Sequence, residues 1–159
     1  MYDKIYPWLT RGAVEFLMEY IPGKTVLEFG MGISTLWFAQ RAEQIVSIEH
    51  NEDWYDKTRI ATKGFLNCTL IYAPLPYHNV CNQFTEKFDF ILVDGRGRVK
   101  CFKKALKVLK PGGVIMLDNS ERKSYKECLK TGKFIHTYGP DYTGNFNYPD
   151  WRTSWTFVH

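Results

Sequence analysis

The stretch that decides the fold is Val26-Leu-Glu-Phe-Gly-Met-Gly-Ile-Ser-Thr35, in which an apolar strand runs into a Gly-x-Gly turn and then a helix. A second apolar strand, Ile45-Val-Ser-Ile-Glu-His50, places the carboxylate of Glu49 at its end, 21 residues after Glu28. The two segments form a strand–helix–strand unit with a glycine turn at one strand end and an acid at the next. Glycines let a ligand approach the backbone and a carboxylate can bind ribose hydroxyls, so the unit predicts a nucleoside site.

The composition is that of an ordinary globular protein, which we expect to form a single domain over residues 1–159. Of the 159 residues, 45% are hydrophobic and 24% are charged, and the net charge of +4 is too mild to indicate a nucleic-acid partner, which we do not expect. No apolar stretch approaches the roughly 20 residues of a membrane span, and the first residues show no signal-peptide pattern. The four cysteines form no Cys-x-x-Cys motif. We therefore expect a cytoplasmic protein with reduced thiols and no membrane partner.

Near-continuous apolar runs alternate with helical patterns along most of the chain, which is typical of a parallel sheet covered on both faces. We predict a first helix capped by Thr10 and further helices over residues 34–41, 53–63, 99–109 and 124–130. We predict strands over residues 25–29, 45–49, 69–72, 88–94, 114–118, 134–138 and 154–158. No helix separates the last two strands, so we expect an antiparallel hairpin at the sheet edge. The predicted fold is a Rossmann-like, doubly wound α/β sheet of seven mostly parallel strands with that C-terminal hairpin.

The acid Glu28 indicates which nucleoside the site would take. A pyrophosphate at this turn would be repelled by the carboxylate, whereas the ammonium of a methionine moiety would be attracted to it, directly or through water. Ser34 also stands where a dinucleotide fingerprint has its last glycine. These features favour S-adenosylmethionine over NAD, although a ligand-free tight turn, with Ser34 as a helix cap and Glu49 as a solvated acid, is the structural alternative. The predicted cofactor-binding residues are Glu28, Phe29, Gly30, Met31, Gly32, Ser34, Glu49, His50 and Asp94.

Further polar residues follow the fourth and fifth predicted strands. Asp94 ends the fourth strand, and we expect it to orient the acceptor or take its proton, which makes it the candidate catalytic residue. Asp94, Asp118 and Asn119 could together hold Mg²⁺ through oxygen ligands, unless Asp94 serves only the cofactor and Asp118 and Asn119 form a turn. Four cations follow these strand ends: Arg96, Arg98, Arg122 and Lys123. They would attract a carboxylated or phosphorylated acceptor, or alternatively would be ordinary surface residues.

These motifs resemble the class I S-adenosylmethionine-dependent methyltransferases over about residues 10–125. Val26-Leu-Glu-Phe-Gly-Met-Gly looks like the first motif of that class, and Ile48-Glu49 looks like its ribose-binding acid. Phe88-Asp-Phe-Ile-Leu-Val-Asp94 looks like its fourth strand, and Leu109-Lys-Pro-Gly-Gly-Val-Ile-Met-Leu-Asp118 looks like its turn and fifth strand. The resemblance implies methyl transfer from S-adenosylmethionine.

Asp94 with Asp118 and Asn119 is similar to the metal triad of catechol-type O-methyltransferases within that class. The chain departs from that subgroup at Gly97, where such enzymes carry a lysine as general base. The flanking Arg96 and Arg98 are poor bases because they stay protonated. We also expect no long N-terminal helical extension of the kind that this subgroup carries, and both departures argue against a requirement for metal. The chain looks closer to compact, poorly characterised members of the class.

The sequence predicts a methyltransferase for a small-molecule or sugar acceptor, by O-methylation, and leaves two alternatives open. One is a module of the same fold that binds S-adenosylmethionine without catalysis, since no general base is recognisable. The other is an NAD-dependent oxidoreductase, which Glu28 and Ser34 disfavour. The aromatic residues at both ends of the chain could line a substrate lid or form a homodimer interface.

Overall fold

The computed structural model describes residues 5–159. Its four α-helices in this range are α1 (Arg11–Tyr20), α2 (Ile33–Ala39), α3 (Glu52–Ala61) and α4 (Arg98–Ala105). The strands are β1 (Thr25–Phe29), β2 (Gln44–Glu49), β3 (Cys68–Tyr72), β4 (Phe88–Val93), β5 (Leu109–Asp118), β6 (Ile135–Tyr138) and β7 (Arg152–Val158). Short 3₁₀ helices cover His78–Gln83, Lys123–Tyr125 and Cys128–Thr131.

The seven strands form one sheet in the order β3-β2-β1-β4-β5-β7-β6. The first five strands pair in parallel, and β7 lies antiparallel between β5 and β6. The predicted Rossmann-like, mostly parallel seven-stranded sheet with a C-terminal antiparallel pair is therefore confirmed. Strand order reverses at β1 and β4, and in such sheets ligands bind beside the carboxyl ends of the strands at this switch point.

Side chains of successive strand residues alternate between the two faces of the sheet and feed two apolar clusters. One cluster lies on the α4 face and includes Leu27, Ile91, Ile115 and Phe102. The cluster on the opposite face includes Val26, Phe90, Val114 and Trp37, and it is covered by α1 and α2. Because β1, β2 and β4 are buried on both faces, the carboxyl ends of these strands are held as a rigid platform.

Three local predictions differ from the structure. The helix predicted over residues 124–130 is two 3₁₀ segments, and the helix predicted to reach residue 109 ends at Ala105. Residues 110–113, which we expect from the resemblance to form the turn before the fifth strand, lie within β5 as an irregularity, since Phe88 pairs with Leu109 but Phe90 pairs with Val114. Three extra residues on β5 are accommodated there, and Gly112 takes a positive φ of 78°.

Thr10 precedes α1 as predicted, but its side chain makes no capping hydrogen bond to the helix. The Thr10 hydroxyl pairs instead with that of Thr137 on β6, at 2.8 Å. The residue therefore ties the start of α1 to the edge of the sheet. Within residues 5–159, no helix has both the length and the hydropathy that crossing a membrane requires.

Candidate active site

A cavity of about 760 Å³ opens at the carboxyl ends of β1, β2 and β4. Its volume lies within the range of about 300–1,000 Å³ that is typical of small-molecule sites. Backbone and side chains of 18 residues line it. They are Trp8, Gly30, Met31, Gly32, Ile33, Ser34, Glu49, His50, Asn51, Trp54, Asp94, Gly95, Arg96, Gly97, Arg98, Arg122, Tyr125 and Tyr148.

The carboxylate of Glu49 is fixed on the wall of this cavity by backbone donors. Its Oε2 atom accepts from the N–H of Met31 at 2.9 Å, and its Oε1 atom accepts from the N–H groups of His50 at 2.8 Å and Asn51 at 2.9 Å. A carboxylate offers about four acceptor positions, so one position on Oε2 remains for a donor in the cavity. Such a carboxylate suits a ribose hydroxyl.

Glu28 lies beneath the glycine turn and does not line the cavity. Its side chain is fully buried and accepts hydrogen bonds from the hydroxyls of Ser34, Thr35 (2.6 Å) and Ser47 (2.8 Å). Burial raises the pKa of Glu28 to about 7, although the three hydroxyl donors lower it and the nearby Glu49 raises it further. Glu28 therefore holds the first turn of α2 against β1 and β2, and the structure does not bring it to the ligand side of the turn.

The glycine turn between β1 and α2 passes close to the end of β4. Gly30 has a φ of +99°, and a Cβ atom there would meet the carbonyl oxygen of Asp94 at 2.8 Å. Gly32 is different, because a Cβ atom there would meet nothing within 4 Å. Gly30 is thus required by the close approach of two backbones, and Gly32 leaves the cavity open to a ligand.

Asp94 follows β4, lines the cavity and is 27% exposed. Burial and the neighbouring Asp118 raise the pKa of Asp94 well above its usual range, while the guanidinium groups of Arg98 and Arg122 oppose that shift. A carboxyl group with a raised pKa is a stronger base than a free aspartate, which is a property that general acid–base chemistry uses.

The predicted metal ligands are engaged with protein donors. The Oδ1 atom of Asp118 accepts from Trp151 Nε1 at 3.0 Å and from Thr153 Oγ1 at 2.7 Å, and this side chain does not line the cavity. The Oδ1 atom of Asn119 accepts from Arg98 Nη1 at 3.0 Å. No cluster of three or more His, Cys, Asp or Glu side chains suited to a metal occurs in residues 5–159. The donor set around Asp94 therefore does not fit Mg²⁺.

The remaining part of the cavity wall is cationic and aromatic. The guanidinium of Arg122 lies 5.3 Å from the ring centre of Tyr148, and that of Arg98 lies 5.4 Å from the ring centre of Tyr125. Arg96 and the exposed Trp8 line the same cavity. Guanidinium groups beside aromatic rings bind planar, negatively charged groups well.

Most of the predicted cofactor residues lie together on the cavity wall. These are Gly30, Met31, Gly32, Ser34, Glu49, His50 and Asp94. The structure does not bring Glu28, Phe29, Asp118 or Asn119 to that wall; the ring of Phe29 is buried and packs edge-on against Tyr77.

Sequence reasoning missed Tyr77, Tyr125 and Ile33. The hydroxyl of Tyr77 accepts from the backbone N–H of Arg96 at 2.9 Å and so supports the loop after β4. Tyr125 lies near the start of the helix predicted over residues 124–130, whereas in the structure its backbone N–H donates to the carbonyl oxygen of Arg122 at 3.0 Å and so begins the turn at Arg122. No local signal distinguishes Tyr77 from the chain's other aromatic residues.

The chain matches the model of a known protein family. The family model described as a methyltransferase domain matches residues 27–120, which is more than half of the chain. The match covers the strand–turn–helix of β1 and α2, the Glu49 strand end and the strands β4 and β5. A comparison with curated proteins finds no match.

Solved structures with the same fold include three methyltransferases or proteins assigned as such. A protein from Klebsiella pneumoniae, provisionally assigned as an O-methyltransferase, is 19% identical over 85% of this chain and 73% of its own, with a TM-score of 0.70. An rRNA methylase from Streptococcus thermophilus is 19% identical over 91% of this chain and 93% of its own, with a TM-score of 0.67. A provisionally assigned methyltransferase from Streptococcus mutans, in complex with SAH (S-adenosylhomocysteine), is 17% identical over 91% and 94%, with a TM-score of 0.68.

Identities this low establish the shared fold, and the family match establishes the relationship. The chain therefore belongs to this methyltransferase family and is a class I S-adenosylmethionine-dependent methyltransferase, as the resemblance of its motifs implied.

Proposed function

We propose that the protein transfers a methyl group from S-adenosylmethionine to a hydroxyl of a small acceptor that carries a negative charge. This proposal rests on one observation: the same cavity has a part suited to the cofactor and a part suited to an anionic acceptor. Its wall includes the Glu49 carboxylate, suited to a ribose, and the guanidinium groups of Arg96 and Arg122, suited to an anion. Cofactor and acceptor would therefore meet in a single space of about 760 Å³.

The residues around the glycine turn fit the cofactor. Glu49 would accept a ribose hydroxyl at the free position of Oε2, and Gly32 would allow close approach to the backbone. The exposed ring of Trp54 and the imidazole of His50 would flank the adenine. When bound, S-adenosylmethionine supplies an activated methyl group on a positively charged sulfur.

Asp94 would act on the acceptor. The acceptor hydroxyl would form the new carbon–oxygen bond with an oxygen lone pair, the carbon–sulfur bond would break with its electron pair left on sulfur, and the hydroxyl proton would pass to the Asp94 carboxylate. The methyl ether, the thioether and a protonated Asp94 account for all atoms. The raised pKa of Asp94 suits this role, because a stronger base at the strand end accepts the proton more readily.

The cationic wall would select the acceptor. Arg122 is held beside Tyr148, with its Nη2 atom 3.3 Å from the tyrosine hydroxyl, so its guanidinium is partly ordered before a ligand arrives. Positive charge in a cavity with low-dielectric walls raises the local concentration of anions. A small acceptor also suits a cavity of this size better than a large polymer does.

The test combines calorimetry with a methyl-transfer assay. Titration with S-adenosylhomocysteine should give micromolar binding, and titration with NAD should give none. Transfer of a labelled methyl group is then compared between matched acceptors, such as 4-hydroxybenzoate and 4-hydroxybenzamide, which differ in charge but hardly in shape. Arg96→Gln and Arg122→Gln should raise KM for the anionic member at least tenfold and leave KM for the neutral one unchanged.

Arg59→Gln is the matched control, because Arg59 is an exposed arginine on α3 outside the cavity. Equal use of the two acceptors, or transfer to ribosomal RNA in preference to both, would contradict the acceptor assignment. Micromolar binding of S-adenosylhomocysteine without transfer to any acceptor of a wide panel would favour the non-catalytic binding module instead.

A further inference from the structure

Arg98, the first residue of α4, is a buried cation in the wall of the cavity, with 9% of its side chain exposed. Its Nε atom donates to the carbonyl oxygen of Gly95 at 2.8 Å. Its Nη1 atom donates to the carbonyl oxygen of Asp118 at 2.7 Å and to Asn119 Oδ1 at 3.0 Å, and Nη2 lies 3.4 Å from Asp94 Oδ1. One guanidinium thus joins the ends of β4 and β5.

The four oxygens around this guanidinium are of the kinds that hold a hard divalent cation: two backbone carbonyls, one side-chain amide and one carboxylate. The space between these four oxygens is nevertheless occupied by the guanidinium of Arg98. A guanidinium stays protonated, and therefore positively charged, in proteins. A divalent ion at the same oxygens would have to displace the guanidinium and would be repelled by it at short range.

Three details fix this arrangement. The Asn119 amide can only be oriented with its oxygen toward Arg98, since the reverse orientation would set two N–H donors against each other. The Asp118 carboxylate is buried, with 2% of the residue exposed, and its Oδ1 atom already accepts hydrogen bonds from Trp151 and Thr153. It is therefore not free to complete a metal site. The ring of Tyr125 lies against the guanidinium. The cationic group is therefore held from several sides.

We propose that Arg98 is a permanent, covalently attached cation that takes the position of a divalent metal ion, and that this site neither needs nor binds such an ion. Arg98 acts as a positioning residue: it holds the Asp94 carboxylate and the start of the segment after β5 in fixed relation to each other. Exclusion of a metal ion from this site is independent of the reaction, whereas methyl transfer without a metal rests on the proposed function.

The first arm of the test needs no activity. The thermal midpoint of the EDTA-treated wild-type protein is measured with MgCl₂, MnCl₂ and CaCl₂ at millimolar concentrations. A bound ion would raise the midpoint with concentration, as any ligand of the native state does. We expect no concentration-dependent rise. A saturable rise in the wild-type protein that Asp94→Asn abolishes would overturn the proposal.

The second arm opens the oxygen cluster. Arg98→Ala removes the guanidinium and leaves its oxygen partners without a donor, so we expect Mn²⁺ to raise the midpoint of this variant and to recover part of its lost affinity for S-adenosylhomocysteine. Arg98→Lys keeps one positive charge and should lose less affinity than Arg98→Ala does. Lys103→Ala is the matched control, because it removes an exposed cation from the same helix, and it should match the wild type.

Unchanged affinity for S-adenosylhomocysteine and unchanged transfer in Arg98→Ala would overturn the positioning role. If Arg98→Ala does not fold, the wild-type metal titration and Arg98→Lys decide the question by themselves. Failure of the proposed function gives a different pattern: no methyl transfer by the wild type under any condition, with the metal titration unaffected. Transfer that EDTA abolishes and Mg²⁺ restores in the wild type would overturn the metal-free mechanism.

Discussion

The Oε2 atom of Glu49 accepts a hydrogen bond from the backbone N–H of Met31 at 2.9 Å, which joins the end of β2 to the turn after β1. The N–H of Gly30 donates to the carbonyl oxygen of Ile48 at 2.8 Å beside it, so the same two segments are linked twice. A carboxylate with one free acceptor position is thereby presented to the cavity in a fixed orientation. Glu49 should therefore affect both the geometry of the turn after β1 and the affinity for the cofactor.

Replacing Glu49 tests the assignment of the ribose site. Glu49→Ala should weaken binding of S-adenosylhomocysteine at least tenfold, since a hydrogen bond to a charged group contributes about 1.5–3 kcal/mol and tenfold is about 1.4 kcal/mol. Calorimetric titration measures the change. Glu43→Ala, an exposed acid just before the opposite end of β2, should bind like the wild type. Equal affinity of Glu49→Ala and the wild type would remove the assignment.

Glu28 should make stability depend on pH near neutrality. Its pKa is about 7 in the folded protein, against 4.5 for the free side chain, so the folded state retains a proton that the unfolded state releases. This contribution to the free energy of unfolding is fully present below pH 4.5 and is lost as pH rises through about 7. The loss amounts to about 3 kcal/mol.

The matched variant is Glu28→Gln, whose amide cannot titrate but can still pair with the hydroxyls of Ser34, Thr35 and Ser47, since hydroxyls both donate and accept. Urea denaturation of both proteins at several pH values between 4.5 and 8 gives the comparison. We expect the wild type to lose more stability than Glu28→Gln over this range. Parallel pH profiles would show that the carboxyl group of Glu28 titrates normally.

The buried position of Glu28 could have been predicted from strand periodicity alone. Val26 and Glu28 share one face of β1, and α2 covers that face, so Glu28 must point at the first turn of α2 rather than into the cavity. The pairing of Glu28 with Ser47 in the register between β1 and β2 supplies one of its donors. The prediction that Glu28 contacts the ligand considered its charge but not the alternation of strand side chains between the two faces of the sheet.

The fold was predictable because its five parallel strands are apolar on both faces, which leaves a continuous signal in the sequence. The position of Arg98 was not predictable in the same way. A cation in the first turn of a basic helix is normally solvated, and only the packing of α4 beside the ends of β4 and β5 brings this side chain onto Gly95, Asp118 and Asn119. Such long-range placement leaves no local pattern.

Asp118 should be a stability residue. Its Oδ1 atom accepts from both Trp151 and Thr153, so Asp118→Ala would leave two buried donors unpaired and should cost about 2–5 kcal/mol. Asp118→Asn keeps an oxygen acceptor and should cost less than half as much. Urea denaturation measures both, with the exposed Asp150→Ala as control. A similar cost for Asn and Ala would mean that the negative charge, rather than the acceptor oxygen, is what matters.

Gly95 and Tyr77 should be energetically coupled. A Cβ atom at Gly95 would lie 1.8 Å from the Tyr77 hydroxyl oxygen, so Gly95→Ala must displace that ring and should cost about 1–3 kcal/mol. Tyr77→Phe removes the oxygen but leaves the N–H of Arg96 without its acceptor, which should lower the free energy of unfolding by about 1 kcal/mol. Gly64→Ala is the control, because a Cβ atom there meets nothing within 4 Å.

The double variant distinguishes a steric contact from general fragility of the loop after β4. Once Tyr77→Phe has removed the clashing oxygen, Gly95→Ala should lower the free energy of unfolding by less than it does in the wild type. The loss of stability in the double variant should therefore be smaller than the sum of the losses in the two single variants. A coupling free energy of about 1 kcal/mol or more, measured by urea denaturation of the four proteins, is the expected result. Strict additivity would mean that the backbone at Gly95 yields instead of the ring, and that the Tyr77 hydroxyl does not set the position of Arg96.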